Sequence, residues 1–413
     1  MITFQIAGTR EQTSGKADGG EELGVGVTVK TAIDVSRARA AGQPEVAEAE
    51  PDDLVELEME GGAILWMRAD EVGERLGLTD ARSADGQTIT LPTAIPQDGD
   101  ERGLGDWIIK GLKILGVDLA EKTARAVALK LEEKATENGP GLKRWDGSEK
   151  LTPAGEVVSG DAPWLLFLHG TASNTVGSFG DLATVQTGVW QALNNTYGNG
   201  ERILAFEHRS LTESPITNAV DLVKALPAGI ELHLVSHSRG GLIGELLGRG
   251  RLVDQDGEAR PPFDAADLAL FKAPEYKAEL KALEALGKLL LEKQIKVSRF
   301  VRVACPARGT SLMRGRLDRW LNLLFDAASL ALGGRLNPVV SGLLGGLREL
   351  VQATVKERTD PKTLPGLEAM APELSPLLKM LNRKQIVQAD DLRVIAGDIE
   401  PSGVFRRLGI WFA

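Results

Sequence analysis

One serine of the chain lies in a setting that suits a catalytic nucleophile. Residues 231–249 read ELHLVSHSRGGLIGELLGR, which contains a Ser-x-Ser-x-Gly pattern formed by Ser236, Ser238 and Gly240. A serine that attacks a carbonyl group from a sharp strand-to-helix turn needs small residues two positions before and after it, because larger side chains would collide with the turn. The start of the following helix also stabilises negative charge that develops beside the serine. Ser238 is therefore the candidate nucleophile.

The flanking residues predict the strand and the helix that such a turn requires. Residues 232–235 are apolar except at His233, as expected of a short strand. Beyond the turn, four apolar residues recur on one face of a helix: Leu242, Ile243, Leu246 and Leu247. A chance serine- and glycine-rich turn would show the same pattern, so the pattern alone leaves both interpretations open.

A second motif precedes Ser238 by about seventy residues. Residues 164–175 read WLLFLHGTASNT, and the apolar run at 164–168 predicts a central parallel strand buried on both faces. The run ends at His169 and Gly170. The residues between the two motifs are enough for one further strand-and-helix unit and an additional helix.

Other segments continue the alternation of strands and helices. Residues 202–208 (RILAFEH) are typical of a strand, and residues 218–226 of a helix. Two more buried strands are predicted at 300–306 and 392–398. This order predicts an α/β protein with a doubly wound, mostly parallel sheet.

Together these segments resemble the lipase- and esterase-like branch of the α/β-hydrolase superfamily. The matching segments are FLHGTASNT, LVSHSRGGL and, at 303–312, VACPARGTSL. Residues 365–382 resemble the segment that follows the lid helices in that branch. The resemblance covers 164–398 and implies an α/β-hydrolase fold with helical lid insertions. It also implies a small-molecule substrate with a carboxylic ester, lipid-like or acylated, and no cofactor.

The resemblance assigns roles to the residues of both motifs. Ser238 would be the nucleophile that forms an acyl-enzyme. The backbone N–H groups of Thr171 and Arg239 would form the oxyanion hole, and His169 and Gly170 would form its loop.

The acid and the base of the catalytic triad are harder to assign. Asp398, at the end of the last predicted strand, is the candidate acid, and a loop-capping aspartate is the alternative. Hydrolases of this type run Ser, then acid, then His, but no histidine follows Ser238. His208, at the carboxyl end of a predicted strand, is the candidate substitute base, with a hydrogen-bonded loop anchor as the alternative. We expect that the chain lacks the last strand and helix of the fold.

An alternative function follows from the same absence. A natural protein without the base would be a non-catalytic hydrolase-fold module that binds a lipid or a protein partner. Fluorophosphonate labelling that depends on Ser238 separates the two functions, because the probe reacts with activated serines.

Composition limits the partners and the compartment. The 413 residues carry a net charge of −10, and no dense Lys/Arg tract is present, which argues against nucleic acid as a partner. The single cysteine, Cys305, excludes an internal disulfide, and no Cys/His cluster suggests a metal. The sequence contains neither a signal peptide at its start nor an apolar run of transmembrane length. We therefore expect a cytoplasmic protein.

The remaining regions suggest a division into domains. Residues 1–100 are predicted as a small β-rich acidic domain, with a hairpin turn at Gly61 and Gly62. Residues 45–60 hold eight acidic residues and neither Lys nor Arg. This stretch would be a solvated face, or a docking surface for a protein partner. Residues 101–160 are predicted as a helical segment and a linker, and 161–413 as the α/β-hydrolase domain.

Two helical regions are predicted as lid insertions, at 264–293 and 317–381. The first is charged, and the second is apolar, with helical spacing at 317–324 and 340–351. An apolar lid would shield an acyl chain and could make transient contact with a membrane surface. The alternative is that these helices only cover a sheet.

Overall fold

The structure is a computed structural model. It describes residues 1–13, 23–36, 44–78, 88–95, 107–119, 123–136, 139–251, 260–309, 338–383 and 391–396, and within 317–329 the residues 317, 318, 321, 322, 325, 326 and 329.

The described strands, in chain order, are β1 (Ile2–Ile6), β2 (Thr9–Arg10), β3 (Gly26–Asp34), β4 (Glu45–Ala49), β5 (Leu54–Met59), β6 (Ile64–Arg68), β7 (Thr88–Thr90), β8 (Ala94–Ile95), β9 (Trp107–Asp118), β10 (Gly141–Arg144), β11 (Thr152–Pro153), β12 (Trp164–Leu168), β13 (Ile203–Glu207), β14 (Glu231–His237), β15 (Lys296–Val303) and β16 (Asp391–Ile395).

The described α-helices are α1 (Val72–Arg75), α2 (Ala124–Ala135), α3 (Thr175–Thr184), α4 (Thr187–Thr196), α5 (Pro215–Ala225), α6 (Gly240–Leu247), α7 (Ala265–Ala269), α8 (Lys277–Lys293), α9 (Pro338–Glu357), α10 (Pro365–Glu368) and α11 (Pro376–Leu381).

The chain folds as two compact units that are not continuous in sequence. The N-terminal unit consists of the described residues of Met1–Leu131 and Gly315–Asp360. The α/β unit consists of Glu132–Arg314 and Pro361–Asp398. These units do not coincide with the predicted segments 1–100, 101–160 and 161–413, because a distant segment completes the N-terminal unit and the α/β unit starts before residue 161.

The N-terminal unit is built on an antiparallel sheet with the order β2-β3-β9-β5-β6, and β8 also pairs with β9. The predicted hairpin turn lies between β5 and β6. Both of its glycines, Gly61 and Gly62, have positive φ angles, a backbone conformation that favours glycine. Strands β4, β1 and β7 form a second, three-stranded sheet.

The segment from residue 101 was predicted to be helical, but its described part begins with a strand. Residues Trp107–Asp118 form strand β9, which pairs with β3 on one edge and β5 on the other. Three isoleucines favour the strand, because β-branched side chains pack well on a pleated surface. The helix begins only at Ala124.

The apolar region predicted as a second lid contributes α9 to the N-terminal unit. Glu349 on this helix accepts the N–H groups of Leu23 at 2.9 Å and Val25 at 3.2 Å. Arg348 donates to Glu56 on β5 at 2.9 Å. Helix α9 therefore covers the sheet of the N-terminal unit, the alternative to a lid. The contacts that decide this join residues about 300 positions apart.

The α/β unit contains a seven-stranded sheet with the order β11-β10-β13-β12-β14-β15-β16. The last five strands in this order are parallel, and β10 is antiparallel to both of its neighbours. The protein is thus of mixed α/β type, as predicted. All five parallel strands overlap a predicted strand.

Helices lie on both faces of this sheet. Leu165 and Phe167 of β12 pack with residues of α3 and α4 in one core cluster. Leu166 points to the opposite face, because side chains alternate along a strand, and it is in register with Leu234 and through it with Phe300. The ring of Phe300 lies against Gly244 of α6, where a side chain would not fit.

Two further predictions in this unit are corrected. The end of the segment 101–160, which was expected to be a linker, contributes β10 and β11 to the sheet. The segment 264–293, expected to be one helix, is divided into α7 and α8 by a short 3-10 helix at Pro274–Tyr276. The division follows from Pro274, since a proline inside a helix removes a backbone hydrogen bond.

Candidate active site at the carboxyl ends of the parallel strands

The residues of the two motifs meet at one edge of the parallel sheet. Strands β13, β12 and β14 are neighbours, and their carboxyl ends lead into His208, His169 and Ser238 respectively. In α/β sheets, functional sites form at this edge. We call residues 169–175, 207–210 and 236–241 the strand-end site.

Ser238 occupies a strained backbone conformation between β14 and α6. Its φ angle is 49°, which is uncommon for a residue other than glycine and costs on the order of 1–3 kcal/mol. Its N–H donates to the carbonyl oxygen of Val303 at 2.8 Å, which ties the turn to the end of β15. The predicted strand and helix on either side are confirmed. Strain of this kind persists only where the surrounding structure enforces it, and it concentrates at functional sites.

Two glycines allow the chain to approach this turn closely. A Cβ atom on Gly240 would overlap the carbonyl oxygens of Leu168 and His169. A Cβ atom on Gly170 would lie 2.9 Å from Nδ1 of His237 and 3.1 Å from Cβ of Ser238. Larger residues at either position would push the loop after β12 away from the serine.

The loop after β12 is fixed by side chains that sequence reasoning missed. The N–H of Gly170 donates to Oγ of Ser178 at 3.3 Å. The N–H of Ala172, itself at a φ angle of 48°, donates to Oγ of Ser210 at 2.9 Å. Serine is a common residue both in loops and on helices such as α3, so neither Ser178 nor Ser210 gave a signal in the sequence.

The N–H groups predicted for the oxyanion hole are those of Thr171 and Arg239. Neither donates a hydrogen bond to any residue that the structure describes. Thr171 lies between two residues whose N–H groups are already bound, so the loop holds its position while this donor stays available. Fixed, uncommitted donors are what an oxyanion hole requires.

Glu207 anchors the first turn of α3 to the end of β13. Its Oε1 atom accepts the N–H of Thr175 at 2.9 Å and also the Thr175 hydroxyl. The side chain is only 4% exposed, and its Oε2 atom has no hydrogen-bond partner in the described structure. A carboxylate at the end of the apolar run RILAFEH was the signal in the sequence that could have identified it.

His169 and His208 form a buried, stacked pair with ring centroids 3.9 Å apart. Nδ1 of His169 donates to the carbonyl oxygen of Gly170 at 2.9 Å, and Nε2 accepts the N–H of His208 at 3.1 Å. Nδ1 of His208 donates to the carbonyl oxygen of Phe206 at 3.0 Å. These bonds place the proton of both rings on Nδ1.

Burial keeps these imidazoles neutral. It lowers the pKa of His169, although the nearby Glu207 carboxylate acts in the opposite direction. It lowers the pKa of His208 well below the ordinary value of 6.5, and it also lowers the pKa of His237. Nε2 of His208 is buried and has no partner among the described residues, so it carries an unused lone pair.

The structure leaves the assignment of the acid and the base as predictions. Oγ of Ser238 makes no hydrogen bond to a residue that the structure describes, including the four histidines. The ring of His237 packs edge-on against Phe179, with centroids 6.4 Å apart. Asp398, the candidate acid, lies outside the described residues.

The side chain of Arg239 extends away from its backbone N–H into the interior of the α/β unit. It is fully buried. Nε donates to the carbonyl oxygen of Gly366 at 3.0 Å, and Nη2 donates to Oδ1 of Asn218 at 2.9 Å and to the carbonyl oxygen of Glu213 at 2.5 Å. Burial lowers the pKa of Arg239 to about 10, so the guanidinium stays charged at neutral pH.

The segment around α10 lies over the same strand ends. The N–H of Gly366 donates to the carbonyl oxygen of Leu211 at 3.0 Å. The Thr171 hydroxyl contacts the sulfur of Met370 at 3.8 Å. This segment belongs to the region predicted, from the resemblance, to follow the lid helices, and it covers the loop that carries Thr171.

The described part of the chain holds neither a candidate metal cluster nor a candidate membrane span. Within it, no group of three or more His, Cys, Asp or Glu side chains is arranged to hold a metal ion. No helix found there has both the length and the apolar character needed to cross a bilayer.

The sequence pattern of one family matches residues 136–261 and 281–410, which is more than half of the chain. The chain belongs to the DUF7379 family, described as a domain of unknown function. The first DUF7379 segment contains the whole strand-end site, and the second includes β15, α9, α10 and α11. No curated protein matches the chain significantly.

Proposed function

We propose that this DUF7379 protein is a serine hydrolase of the α/β-hydrolase type. It would cleave carboxylic esters with lipid-like or acylated substrates through an acyl-enzyme on Ser238. The observation that carries the proposal is the strained φ of Ser238 at a strand-to-helix turn, with the Gly170 loop packed against it. The parallel sheet with helices on both faces supports the fold assignment.

In the proposed reaction, Oγ of Ser238 attacks the carbonyl carbon of the ester and loses its proton to a base. The oxyanion accepts hydrogen bonds from the N–H groups of Thr171 and Arg239. The C–O bond to the alcohol then breaks, and the alcohol leaves with a proton returned by the base. Water repeats the sequence on the acyl-enzyme, which releases the carboxylic acid and restores Ser238.

Among the described residues, His208 remains the candidate base. Its ring is neutral, and Nε2 holds a lone pair that no donor uses. In hydrolases before substrate binds, catalytic hydrogen bonds are often long or absent, so the missing bond to Ser238 does not conflict with this role. Asp398 remains the proposed acid.

The second candidate function is a non-catalytic module with the same fold that binds a lipid or a protein partner. The observation that favours it is the absence, in the described structure, of a hydrogen bond from Ser238 to a histidine. Such a module would keep the fold and the strand-end site but would not activate the serine.

Labelling with a fluorophosphonate probe, with the modified residue identified by mass spectrometry, tests the two functions. We expect labelling at Ser238 that is lost in Ser238→Ala. Ser159→Ala, which replaces an exposed serine of the same unit, is the matched control and should label like the wild type. A folded wild-type protein that is not labelled would contradict the hydrolase and leave the binding module.

A further inference from the structure

Packing alone does not explain why the charged Arg239 side chain is buried next to the candidate nucleophile, Ser238. No carboxylate lies within 4 Å of the Arg239 guanidinium in the described structure, and Nη1 has no hydrogen-bond partner there. The acceptors that hold the guanidinium are two backbone carbonyls and one amide. A buried charge without a counter-ion is costly, so its presence suggests a role beyond stability.

A second buried arginine provides the contrast. Arg249 lies ten residues further along the chain, just beyond α6, and is 1% exposed. It also donates to backbone carbonyls, those of Pro262 and Met380. Unlike Arg239, it has a carboxylate partner, because Nη1 lies 3.5 Å from Oδ2 of Asp267. Arg249 therefore shows the paired form that a structural arginine adopts in this unit.

We propose that Arg239 is a positioning residue for the reaction at Ser238. Its side-chain hydrogen bonds fix the backbone N–H that receives the oxyanion, and its unpaired positive charge favours negative charge at the strand ends. This inference rests on the proposed hydrolase function.

The charged groups around Arg239 are consistent with this role. Glu132 on α2 and Glu213 before α5 are the carboxylates that act on the guanidinium through space. Burial raises the pKa of Glu132, whose oxygens are committed to Leu211 and Thr212. Glu213 is about one quarter exposed and pairs with Arg209. Neither neutralises the guanidinium directly.

The cation also acts on the imidazoles of the site. Burial is the main cause of the low pKa of His169 and His208, and the positive charge of Arg239 lowers both further. Glu207, Arg209 and His237 are the other ionisable groups of the strand-end site. Arg209 pairs with Glu213, and Glu207 acts on His169 in the opposite direction to Arg239. Removing the cation should therefore let these histidines protonate at higher pH.

The sharpest test replaces Asn218 by aspartate. Asn218→Asp keeps the shape and the hydrogen bond to Nη2, but it places a counter-ion on the guanidinium. It also replaces the amide donor that lies 3.0 Å from Oε2 of the partly exposed Glu213 by a second carboxylate oxygen, which Glu213 can avoid by turning towards solvent. We expect fluorophosphonate labelling to slow by about tenfold or more. In the pH profile of the labelling rate, the acid limb, where the rate falls with decreasing pH, should move to higher pH. A purely structural arginine would be held more tightly, with an unchanged labelling rate.

The second part of the test substitutes Arg239 itself. Arg239→Met keeps the backbone N–H but removes the side-chain bonds that fix it. Labelling should therefore slow by at most about 10²-fold, the effect of losing an oxyanion donor outright, and the acid limb of its pH profile should move to higher pH. Arg239→Lys should keep the acid limb of the wild type, because the charge remains. Arg249→Met is the matched control: it removes an equally buried arginine and should leave the rate and pH profile of the folded protein unchanged.

NMR titration of the His169 and His208 rings separates this inference from the hydrolase proposal. Their pKa values should rise in Asn218→Asp whether or not the serine is labelled. If labelling occurs but Asn218→Asp changes neither the rate nor these pKa values, the inference is wrong and the hydrolase proposal stands. If the wild type is not labelled, the hydrolase proposal fails, and the role of Arg239 in oxyanion binding fails with it.

Discussion

Glu56 in the N-terminal unit and the polar side chains of the strand-end site are almost equally buried, but they differ in their hydrogen bonding. The Glu56 carboxylate is 2% exposed and accepts from Trp66, Lys113 and Arg348 at 2.8–2.9 Å. Burial alone would raise its pKa, but Arg348 and Lys113 outweigh burial and lower it.

The strand-end site shows the opposite pattern. Five side chains on neighbouring strand ends each have a buried polar atom with no partner in the described structure: Glu207 Oε2, His208 Nε2, Ser236 Oγ, His237 Nδ1 and Arg239 Nη1. Native proteins satisfy most buried polar groups, so a cluster of exceptions calls for a cause. The comparison suggests that saturated groups such as Glu56 serve stability, whereas the strand-end groups are kept available for chemistry.

The largest effect on stability should come from Glu56. Glu56→Leu removes the acceptor of the Trp66 indole N–H and the carboxylate that contacts Lys113 and Arg348. We expect the N-terminal unit to lose about 3 kcal/mol, because breaking a buried pair is costly, while Lys113 and Arg348 are partly exposed and recover some hydration. Denaturant unfolding measures this, with hydrogen exchange of β5 and β6 reporting this unit.

Glu58→Leu is the matched control, since Glu58 is exposed on the same strand. It should change stability by less than about 0.5 kcal/mol. Neither variant should alter labelling of Ser238. A comparable loss in both variants would show that the Glu56 cluster has no special role.

The second prediction concerns the loss of stability of the α/β unit at acid pH. Burial lowers the pKa of His169 and His208, so the unfolded chain binds protons more readily than the folded one below the ordinary value of 6.5. Their contribution to stability is complete above pH 6.5 and is lost as the pH falls below it. The loss approaches ~1.4 kcal/mol per group and pH unit only below the unfolded-state pKa, so the two groups together lose at most about 2 kcal/mol between pH 6.5 and 5.5.

All four histidines belong to the α/β unit, so this loss should be specific to it. Hydrogen exchange at pH 7.5, 6.5 and 5.5 should show weaker protection in β12–β14 as the pH falls below 6.5. A stability of these strands that does not change across this range would contradict the neutral, buried assignment of both rings.

The sequence was a good guide wherever local chemistry decides the structure. The apolar runs at 164–168 and 203–207 form parallel strands, and the small residues around Ser238 form the strained turn that their size predicts. Glycine was informative for the same reason, since Gly170 and Gly240 have no room for a Cβ atom.

What the sequence could not predict depends on partners far away in the chain. Residues 107–118 belong to a segment that was predicted as helical, and they form strand β9 because β3 and β5 pair with both of its edges. Helix α9 was predicted as part of a lid, and only its contacts with Leu23 and Glu56 show that it covers the N-terminal sheet. The role proposed for the Arg239 side chain likewise depends on its hydrogen bonds to Gly366 and Asn218, which are distant in the chain.

The third prediction concerns Asp326, a buried carboxyl of the N-terminal unit that, unlike Glu56, has an oxygen without a partner in the described structure. Asp326 accepts the N–H of Ile64 at 2.9 Å through Oδ1, but Oδ2 is buried without a partner in the described structure. Burial raises the pKa of its carboxyl to about 7. Its contribution to stability is therefore complete below pH 3.8 and is lost as the pH rises towards about 7.

Asp326→Asn keeps the acceptor and removes the titration. We expect this variant to be more stable than the wild type by about 2 kcal/mol at pH 8, with a smaller difference at pH 5. Denaturant unfolding at both pH values measures the difference. An advantage of equal size at both would mean that the carboxyl does not titrate in this range.

The smallest effect, and the finest test of the comparison, concerns the loop that carries Thr171. Ser210→Ala removes the acceptor of the Ala172 N–H, one of the bonds that fix this loop. Losing one such bond costs only about 1 kcal/mol of stability. The labelling rate of Ser238 should nevertheless fall about tenfold, because a small displacement of an oxyanion donor weakens transition-state binding.

Ser214→Ala is the matched control, because the Ser214 hydroxyl caps α5 through the N–H of Thr217 and its loss also costs about 1 kcal/mol. Equal destabilisation with unequal labelling would show that the Ser210 bond serves the position of Thr171 rather than general stability. If both variants label at the same rate, the loop after β12 needs no such support, and the free N–H of Thr171 loses its main argument as an oxyanion donor.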